Sequence, residues 1–284
     1  MFILLNFERE ENIVGLGGGL MKKVIFFDID GTLIDSHNGK KDISSRVKQS
    51  LRDLQRRGHY VFIATGRPYA FLSKVIREFG FDGYVLANGA HVIVDGKKIH
   101  SKAIDNGILK NLVSHLGNKN LEFVLEDETC VYAYENYEKI WPFYEQYGIL
   151  KDYFMLDYEV DQVNAFKIEV LCPKPEDLEY CIEFLKNHEE YTYCHSVHPT
   201  HLEIYLKENH KATGILKVLD YLNISIENTY AFGDGSNDIE MLETVGCGIA
   251  MGNASDEVKK YANVVTDTVA NDGIVSGIEK YILS

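Results

Sequence analysis

Six short apolar runs, each closing on a polar residue or a glycine, constrain the fold of this chain more than any other feature. They are VIFFD (24–28), YVFIATG (60–66), YVLANG (84–89), TYAFGDG (229–235), CGIAMGN (247–253) and NVVTD (263–267). None alternates apolar with polar residues, so each reads as a strand buried on both faces. Helical stretches follow most of them, such as SSRVKQSLRDLQRRG after the first and RPYAFLSKVIREFG after the second. Strands of this kind interleaved with helices imply a doubly wound, Rossmann-like α/β domain with a mostly parallel sheet. Ligands of such sheets sit at the carboxyl ends of the strands. The polar residues at those ends are Asp28, Asp30, Thr65, Asn88, Asp234 and Asn253.

The intervals between the runs locate a second domain. Asp30 and Thr65 are separated by one helix and one strand, with no room for more. Between Thr65 and Lys211, one helix, one strand and a hairpin (HVIVDGKKIH, turning at Asp95-Gly96) leave a block of residues 103–205 unaccounted for. That block is rich in tyrosine and acids. Its strand-like pieces LEFVLED, CVYAY, FKIEVL and HLEIYL flank a helical EDLEYCIEFLKNH. The expected organisation is a core of 21–102 and 206–284 interrupted by an α+β insert of 103–205. Residues 1–20 carry acids where a signal peptide needs cations. The GLGGGL before Met21 is what a translated ribosome-binding site would give, so residues 1–20 are expected to be a leader outside the fold, with the true start at Met21.

Of the 284 residues, 45% are hydrophobic and 25% charged, as in a globular protein. No run of 18 apolar residues offers a membrane-spanning helix. The net charge of −14 excludes long-range attraction to nucleic acid or to an anionic membrane. An anionic substrate would need a local lysine, arginine or metal ion. The five cysteines are odd in number and form no CxxC pair, which points to a reducing cytoplasm. The expected state is a monomer or weak dimer.

The chemistry gathers in carboxylates. FFDIDGTL places Asp28 and Asp30 two apart where a buried strand ends, and GDGSNDIEML does the same with Asp234 and Asp238 around Asn237. Asp234 and Asp238, four apart, share a face if a helix begins there. Carboxylates converging on one spot repel and call for a hard divalent cation such as Mg²⁺. TGRP adds the Thr65 hydroxyl and an amide at an expected helix N-terminus, both suited to a phosphate oxygen. Lys211, before the helix ATGILKVLDYL, adds a compact positive charge. Together these are the parts for phosphoryl transfer through an aspartyl-phosphate.

The segments FFDIDGTL, ATGRP, LANGA, Lys211 with its helix, FGDGSNDIEML and IAMGNASDEVKKYANVVT…DGI, in that order, resemble the haloacid dehalogenase superfamily of phosphatases, and within it the Cof-type members of subfamily IIB. The resemblance implies Asp28 as nucleophile and Asp30 as general acid and base, with a carboxyl kept protonated by burial and neighbouring carboxylates. It implies Thr65, Gly66, Arg67, Asn88, Lys211 and Asn237 around the substrate. Mg²⁺ would be held by Asp28, by Asp30 through its main-chain carbonyl, and by Asp234, with Asp238 in support. Asn88 also reads as a plain turn residue, and Arg67 as a partner for a core acid. The family's glycine after the lysine is Ala212 here, with Gly214 two residues on. The insert resembles the larger α/β cap, which closes over the core and reads the leaving group.

The activity implied is Mg²⁺-dependent hydrolysis of small phosphorylated metabolites, sugar phosphates or phosphorylated cofactors. One alternative is a phosphomutase of the phosphomannomutase type. It needs a dense set of cap cations, whereas 103–205 holds seven lysines and no arginine. The other is a non-catalytic ligand-binding module, whose mark would be a lost nucleophile or lysine. His195, His198 and His201 are spaced by three, but Pro199 prevents a helix from aligning them, and they read as cap-strand histidines without a ligand. The tyrosines of the insert read as its small core.

Overall fold

The structure is a computed structural model. It describes residues 21–284 apart from 36–37, 40–41, 147–148, 150 and 196–199. The expectations for the 1–20 leader and for His198 lie outside the described residues.

The strands, in chain order, are β1 (Val24–Phe27), β2 (Tyr60–Ala64), β3 (Gly83–Leu86), β4 (His91–Val94), β5 (Lys97–Ser101), β6 (Phe123–Glu126), β7 (Val131–Tyr132), β8 (Phe154–Met155), β9 (Lys167–Leu171), β10 (Tyr191–His195), β11 (His201–Leu206), β12 (Thr229–Gly233), β13 (Cys247–Ala250) and β14 (Val264–Val265). They form two sheets. The first has the order β14-β13-β12-β1-β2-β3-β4-β5, and the second β10-β11-β9-β6-β7-β8. From β14 to β3 the first sheet is parallel. The hairpin β4–β5 extends it antiparallel, around a turn in which Asp95 and Gly96 both have positive φ. The asparagine, aspartate and glycine preference of such turns is why DG was legible as one.

Both faces of the parallel sheet are buried, which is why its strands do not alternate. Ile25, Phe27, Val61 and Ile63 point to one side and pack with Val47, Leu51 and Leu54 of the helix Ser45–Arg56. Val24, Phe26, Phe62 and Ala64 point to the other and pack with Ile215, Val218 and Leu219 of the helix Lys211–Leu222. A fully buried phenylalanine or isoleucine contributes about 1.5–3 kcal/mol, so these central strands fix the arrangement of everything attached to their ends.

The second sheet lies between β5 and the helix Lys211–Leu222 in sequence. It is antiparallel apart from β7–β8. Its back face (Phe123, Leu125, Ile168, Val170, Leu202, Ile204) is covered by Leu109, Leu112 and Leu116 of the helix Asn106–Asn118 and Cys181 and Leu185 of the helix Pro175–Leu185. Tyr132, Tyr134, Tyr137 and Tyr158 pack against this cluster, as expected of a small core. The two layers meet where Phe71 of the first inserts beside Tyr144 and Phe154 of the second, with ring centroids 5.6 and 6.0 Å away. Phe166 closes a second contact against Ala87 and Ala90.

The departure at Ala212 has a packing reason. Ala212 is buried beside the lysine, and the close approach falls on Gly214 instead. A Cβ on Gly214 would lie 2.4 Å from Val85 Cγ1 and 2.9 Å from Gly89 Cα, while one on Gly89 would lie 2.2 Å from the His210 carbonyl oxygen. These two glycines let the turn after β3 touch the start of the helix that carries Lys211. Gly214→Ala should therefore cost about 1–3 kcal/mol, read from the urea midpoint. Gly117→Ala, on an exposed helical turn with nothing within 4 Å of the new Cβ, should stabilise by up to about 1 kcal/mol.

Candidate active site

β1 and β12 end side by side, and the chain leaves them at Asp28 and Asp234. Lys211, the first residue of its helix, reaches between them. Its Nζ donates to Asp28 Oδ1 at 2.6 Å and to Asp238 Oδ1 at 2.5 Å, and the lysine is fully buried. The other oxygen of Asp238 accepts from the amides of Asp234 and Gly235, both at 2.9 Å. Asp238 is thus committed on both sides. Asp234 is held by the Thr32 hydroxyl at 2.8 Å and by Asn253 Nδ2 at 3.2 Å, and Asn253 also donates to the Gly31 carbonyl at 2.8 Å. Gly31 has φ +82°, and a Cβ there would stand 2.1 Å from Asp234 Oδ2, so only glycine fits.

Asp28, Asp234 and Asp238 each place a carboxylate oxygen within 4.8 Å of the others. Burial pushes the Asp28 carboxyl well above its ordinary range. Asp238, Asp30 and Asp234 push the same way, and Lys211 opposes them. Burial works against the Lys211 ammonium, yet Asp238 and Asp28 outweigh it and raise its pKa. One ammonium thus faces three carboxyl groups. An all-oxygen donor set with surplus negative charge fits a hard divalent cation such as Mg²⁺.

The remaining residues named from sequence assemble around this centre with two differences. Thr65 is buried and its hydroxyl accepts from the Arg67 amide at 3.2 Å, which leaves the O–H free to donate. Gly66 lies under Asn88, whose Oδ1 would be 3.0 Å from a Cβ there. Asn88, at φ 53° and ψ 39°, accepts from Asn237 Nδ2 at 3.3 Å, so it is both the turn residue and a wall of the site. The expected helix N-terminus after TGRP is absent. Pro68 leads into a single 3-10 turn, Tyr69–Phe71, and the helix starts only at Lys74. The intervening turn directs Phe71 into the second layer, a tertiary contact that local helical periodicity does not reveal. Asp234 and Asp238 likewise do not share a helix face. A 3-10 turn, Ser236–Asp238, separates them and turns Asp238 back onto the Asp234 amide.

Asp30 is the second difference. Its carboxyl was expected to be buried and crowded by carboxylates. Instead the side chain is 38% exposed, and Arg67 grips it with Nε to Oδ2 at 2.8 Å and Nη2 to Oδ1 at 2.7 Å. Arg67 Nη1 also donates to the Phe71 carbonyl at 3.1 Å. Arg67 thus pairs with a half-exposed acid, Asp30, rather than with one in the core. Asp30 stands apart from the Asp28–Asp234–Asp238 cluster. Thr32 was not singled out, and Asn253 only as a polar residue at a strand end, although both lie in segments that were, DGTL and AMGNA. Of the spaced histidines, His195 is exposed and His201 is buried against the Phe143 ring.

With this geometry in view, comparison with known proteins identifies the class. Residues 25–278 match the family model of the haloacid dehalogenase-like hydrolases, and the chain belongs to that family. It is 32% identical to YkrA of Bacillus subtilis (strain 168), over 91% of this chain and 97% of that protein. It is 30% identical to the 5-amino-6-(5-phospho-D-ribitylamino)uracil phosphatase YcsE of the same organism, over 92% and 96%. Among solved structures it is similar to a protein of Geobacillus kaustophilus HTA426, with a TM-score of 0.84, 29% identity and coverage of 93% and 100%. It is similar also to the HAD subclass IIB sugar phosphatase BT4131, with a TM-score of 0.77, 27% identity and coverage of 92% and 99%. The protein is a phosphatase of this family. Among the described residues no helix is long and apolar enough to cross a membrane.

Replacing Lys211 by methionine removes the ammonium bonded to Asp28 and Asp238 and strands two buried carboxyls. The loss should be about 3–5 kcal/mol at pH 7 in EDTA, measured by urea unfolding. Burial already raises the Asp28 carboxyl above the unfolded value, and without the opposing lysine it lies higher still. The folded state then binds more protons, so the deficit should shrink as the pH falls toward 5.

Proposed function

We propose that this phosphatase hydrolyses small phosphorylated metabolites, sugar phosphates or phosphorylated cofactors, through an aspartyl-phosphate on Asp28. The observation that carries the reading is the Lys211 bridge: it fixes Asp28 at a strand end, beside acidic oxygens suited to a cation and with a second carboxyl two residues away. The 103–205 insert is read as a cap and 21–102 with 206–284 as the catalytic core. The similarity to a sugar phosphatase and to a ribitylaminouracil phosphatase supports this substrate class. The five free cysteines accord with a cytoplasmic enzyme.

In the first half-reaction a carboxylate oxygen of Asp28 attacks phosphorus, and the bond from phosphorus to the leaving oxygen breaks. Lys211 keeps Asp28 aimed and offsets the gathering negative charge. Thr65, through its O–H, and Asn237 and Asn88, through their side-chain amides, orient the phosphoryl oxygens. Asp30 gives its proton to the leaving oxygen. A carboxylate gripped by Arg67 carries no proton, so Arg67 must first release one oxygen, which takes up a proton from solvent; the ion pair parks the acid until then. In the second half-reaction Asp30 takes a proton from water, the water oxygen attacks phosphorus, and the Asp28–phosphorus bond breaks to release inorganic phosphate. Mg²⁺, held by Asp28 and Asp234 with Asp238 behind them, supplies Lewis-acid stabilisation of phosphoryl charge when bound.

Asp28→Asn should abolish turnover of p-nitrophenyl phosphate with the melting temperature retained, and turnover in clean variant protein would refute the nucleophile. EDTA should silence the wild type and Mg²⁺ restore it. Asp30→Asn should slow an alkyl phosphate by about 10²–10⁴-fold and p-nitrophenyl phosphate by less, since nitrophenolate leaves with little proton help. Equal losses on the two substrates would remove Asp30 from the acid role.

A further inference from the structure

The front face of the second sheet, opposite the back covered by two helices, is apolar at Val124, which packs with Tyr144 and Phe154, but charged along the rest of its central strands. Alternation places Glu126 of β6, Lys167 and Glu169 of β9, and Glu203 and Tyr205 of β11 on this face, and their registers make them neighbours. Glu126 is paired with Lys167, and Glu169 directly with Glu203. Like charges opposite one another across strands are destabilising, more so when buried, and here the exposures are 1% for Glu126 and 4% for Glu169. Burial drives Glu126 up to about 8, with Lys167 resisting. Part of that cost is offset by the Tyr144 hydroxyl, which donates to Glu169 Oε2 at 2.6 Å.

The cluster lies on the phosphate-site loop. Lys167 Nζ contacts Glu126 Oε2 at 3.2 Å, Glu203 Oε2 at 3.0 Å and the carbonyl oxygen of Gly66 at 3.4 Å. Gly66 in turn lies under Asn88, which is bonded to Asn237. The face therefore begins one residue from the atoms that surround the phosphoryl group, on the side of Asp30 and Arg67.

We propose that Glu203, supported by Glu126, Glu169 and Lys167, forms the leaving-group site of this phosphatase, and that it selects neutral or cationic leaving groups bearing hydroxyls or amines against anionic ones. The proposal rests on the phosphatase reading above and deepens it. Glu203 is the accessible carboxyl of the three, its side chain 16% exposed. Both of its bonds fall on Oε2, from Lys167 and Cys194, and among the described residues no donor reaches Oε1. A carboxylate oxygen in that position accepts from a hydroxyl or an ammonium and repels a carboxylate or second phosphate. Of the seven lysines of 103–205, five are already engaged elsewhere. The three N–H groups of Lys167 are already engaged, and 103–205 holds no arginine. Lys110, Lys119, Lys151 and Lys186 are engaged with Asp161, the Tyr180 ring, the Trp141 ring and Glu183.

The test uses three probes with the same phosphate on the same carbon: glucose 6-phosphate, glucosamine 6-phosphate and 6-phosphogluconate, whose leaving groups are neutral, cationic and anionic. Each is read as kcat/KM in Mg²⁺, and any probe not turned over is read as an inhibitor of p-nitrophenyl phosphate hydrolysis. The first two should exceed the anion by at least about tenfold. Glu203→Gln should cut that ratio severalfold, and Glu183→Gln, on the back-face helix, should leave it unchanged. Glu169→Gln, at the cross-strand neighbour, carries the same readout where Glu203→Gln does not fold. A wild type active on p-nitrophenyl phosphate that treats the three probes alike or favours the anion would overturn the charge selection alone. So would a folded Glu203→Gln variant that keeps the full ratio. A wild type with no p-nitrophenyl phosphate turnover in Mg²⁺ would instead remove the phosphatase reading, and this one with it.

Discussion

Lys211 is an ammonium with no exposure to water, held between Asp28 and Asp238, and the rest of the molecule is arranged to make that arrangement tolerable. A lone buried ammonium or carboxylate costs several kcal/mol, and the pair recovers this only when every remaining donor and acceptor is met. Here two strand exits and a helix start, far apart in sequence, supply the parts. Asp238 gives its second oxygen to two amides of the turn after β12, and Asp234 is steadied by Thr32 and Asn253. The close approach is possible because Gly31 and Gly233 have no side chains. A Cβ on Gly233 would lie 2.6 Å from the Asp238 Cβ. Three carboxyl groups and one ammonium remain short of positive charge, and that deficit is the physical basis for expecting a cation and a phosphoryl group to complete the site.

Much of this was legible because it is local. A strand buried on both faces declares itself by an unbroken apolar run, and acids at its exit are conspicuous because a core does not end that way without cause. VIFFD followed by Asp30, and TYAFGDG followed by Asp238, carried both signals. The hairpin at Asp95-Gly96 was legible from its turn chemistry. Parts decided by partners distant in sequence were hidden. The stretch after TGRP has helical composition, yet Phe71 is drawn into contact with Tyr144 and Phe154, and the helix waits until Lys74. Asp30 looked like a second buried acid, and only the fold shows Arg67 gripping it from the neighbouring strand's exit. Gly214 replaced the glycine missing after Lys211 because the packing constraint concerns the distance between the helix and the turn at Gly89, which the next helical turn satisfies as well.

The insert divides its sheet between two tasks. The back face is apolar and covered by two helices, so it holds the domain together and is indifferent to substrate. The front face carries Glu126, Lys167, Glu169 and Glu203, buried and bonded to one another, to Tyr144 and to the core loop. Lys167 links that face to the Gly66 carbonyl, so the residue that organises the charged cluster also touches the loop carrying Thr65 and Arg67. The carboxyls around Asp28 are held from different segments: Asp28 by Lys211, Asp234 by Thr32 and Asn253, and Asp238 by Lys211 and two amides. The front face meets the core through the Lys167–Gly66 contact and through Phe71 beside Tyr144 and Phe154. In the proposed leaving-group role, a change of charge there would alter what can stand beside the phosphoryl group without moving Asp28, Lys211 or Asp234.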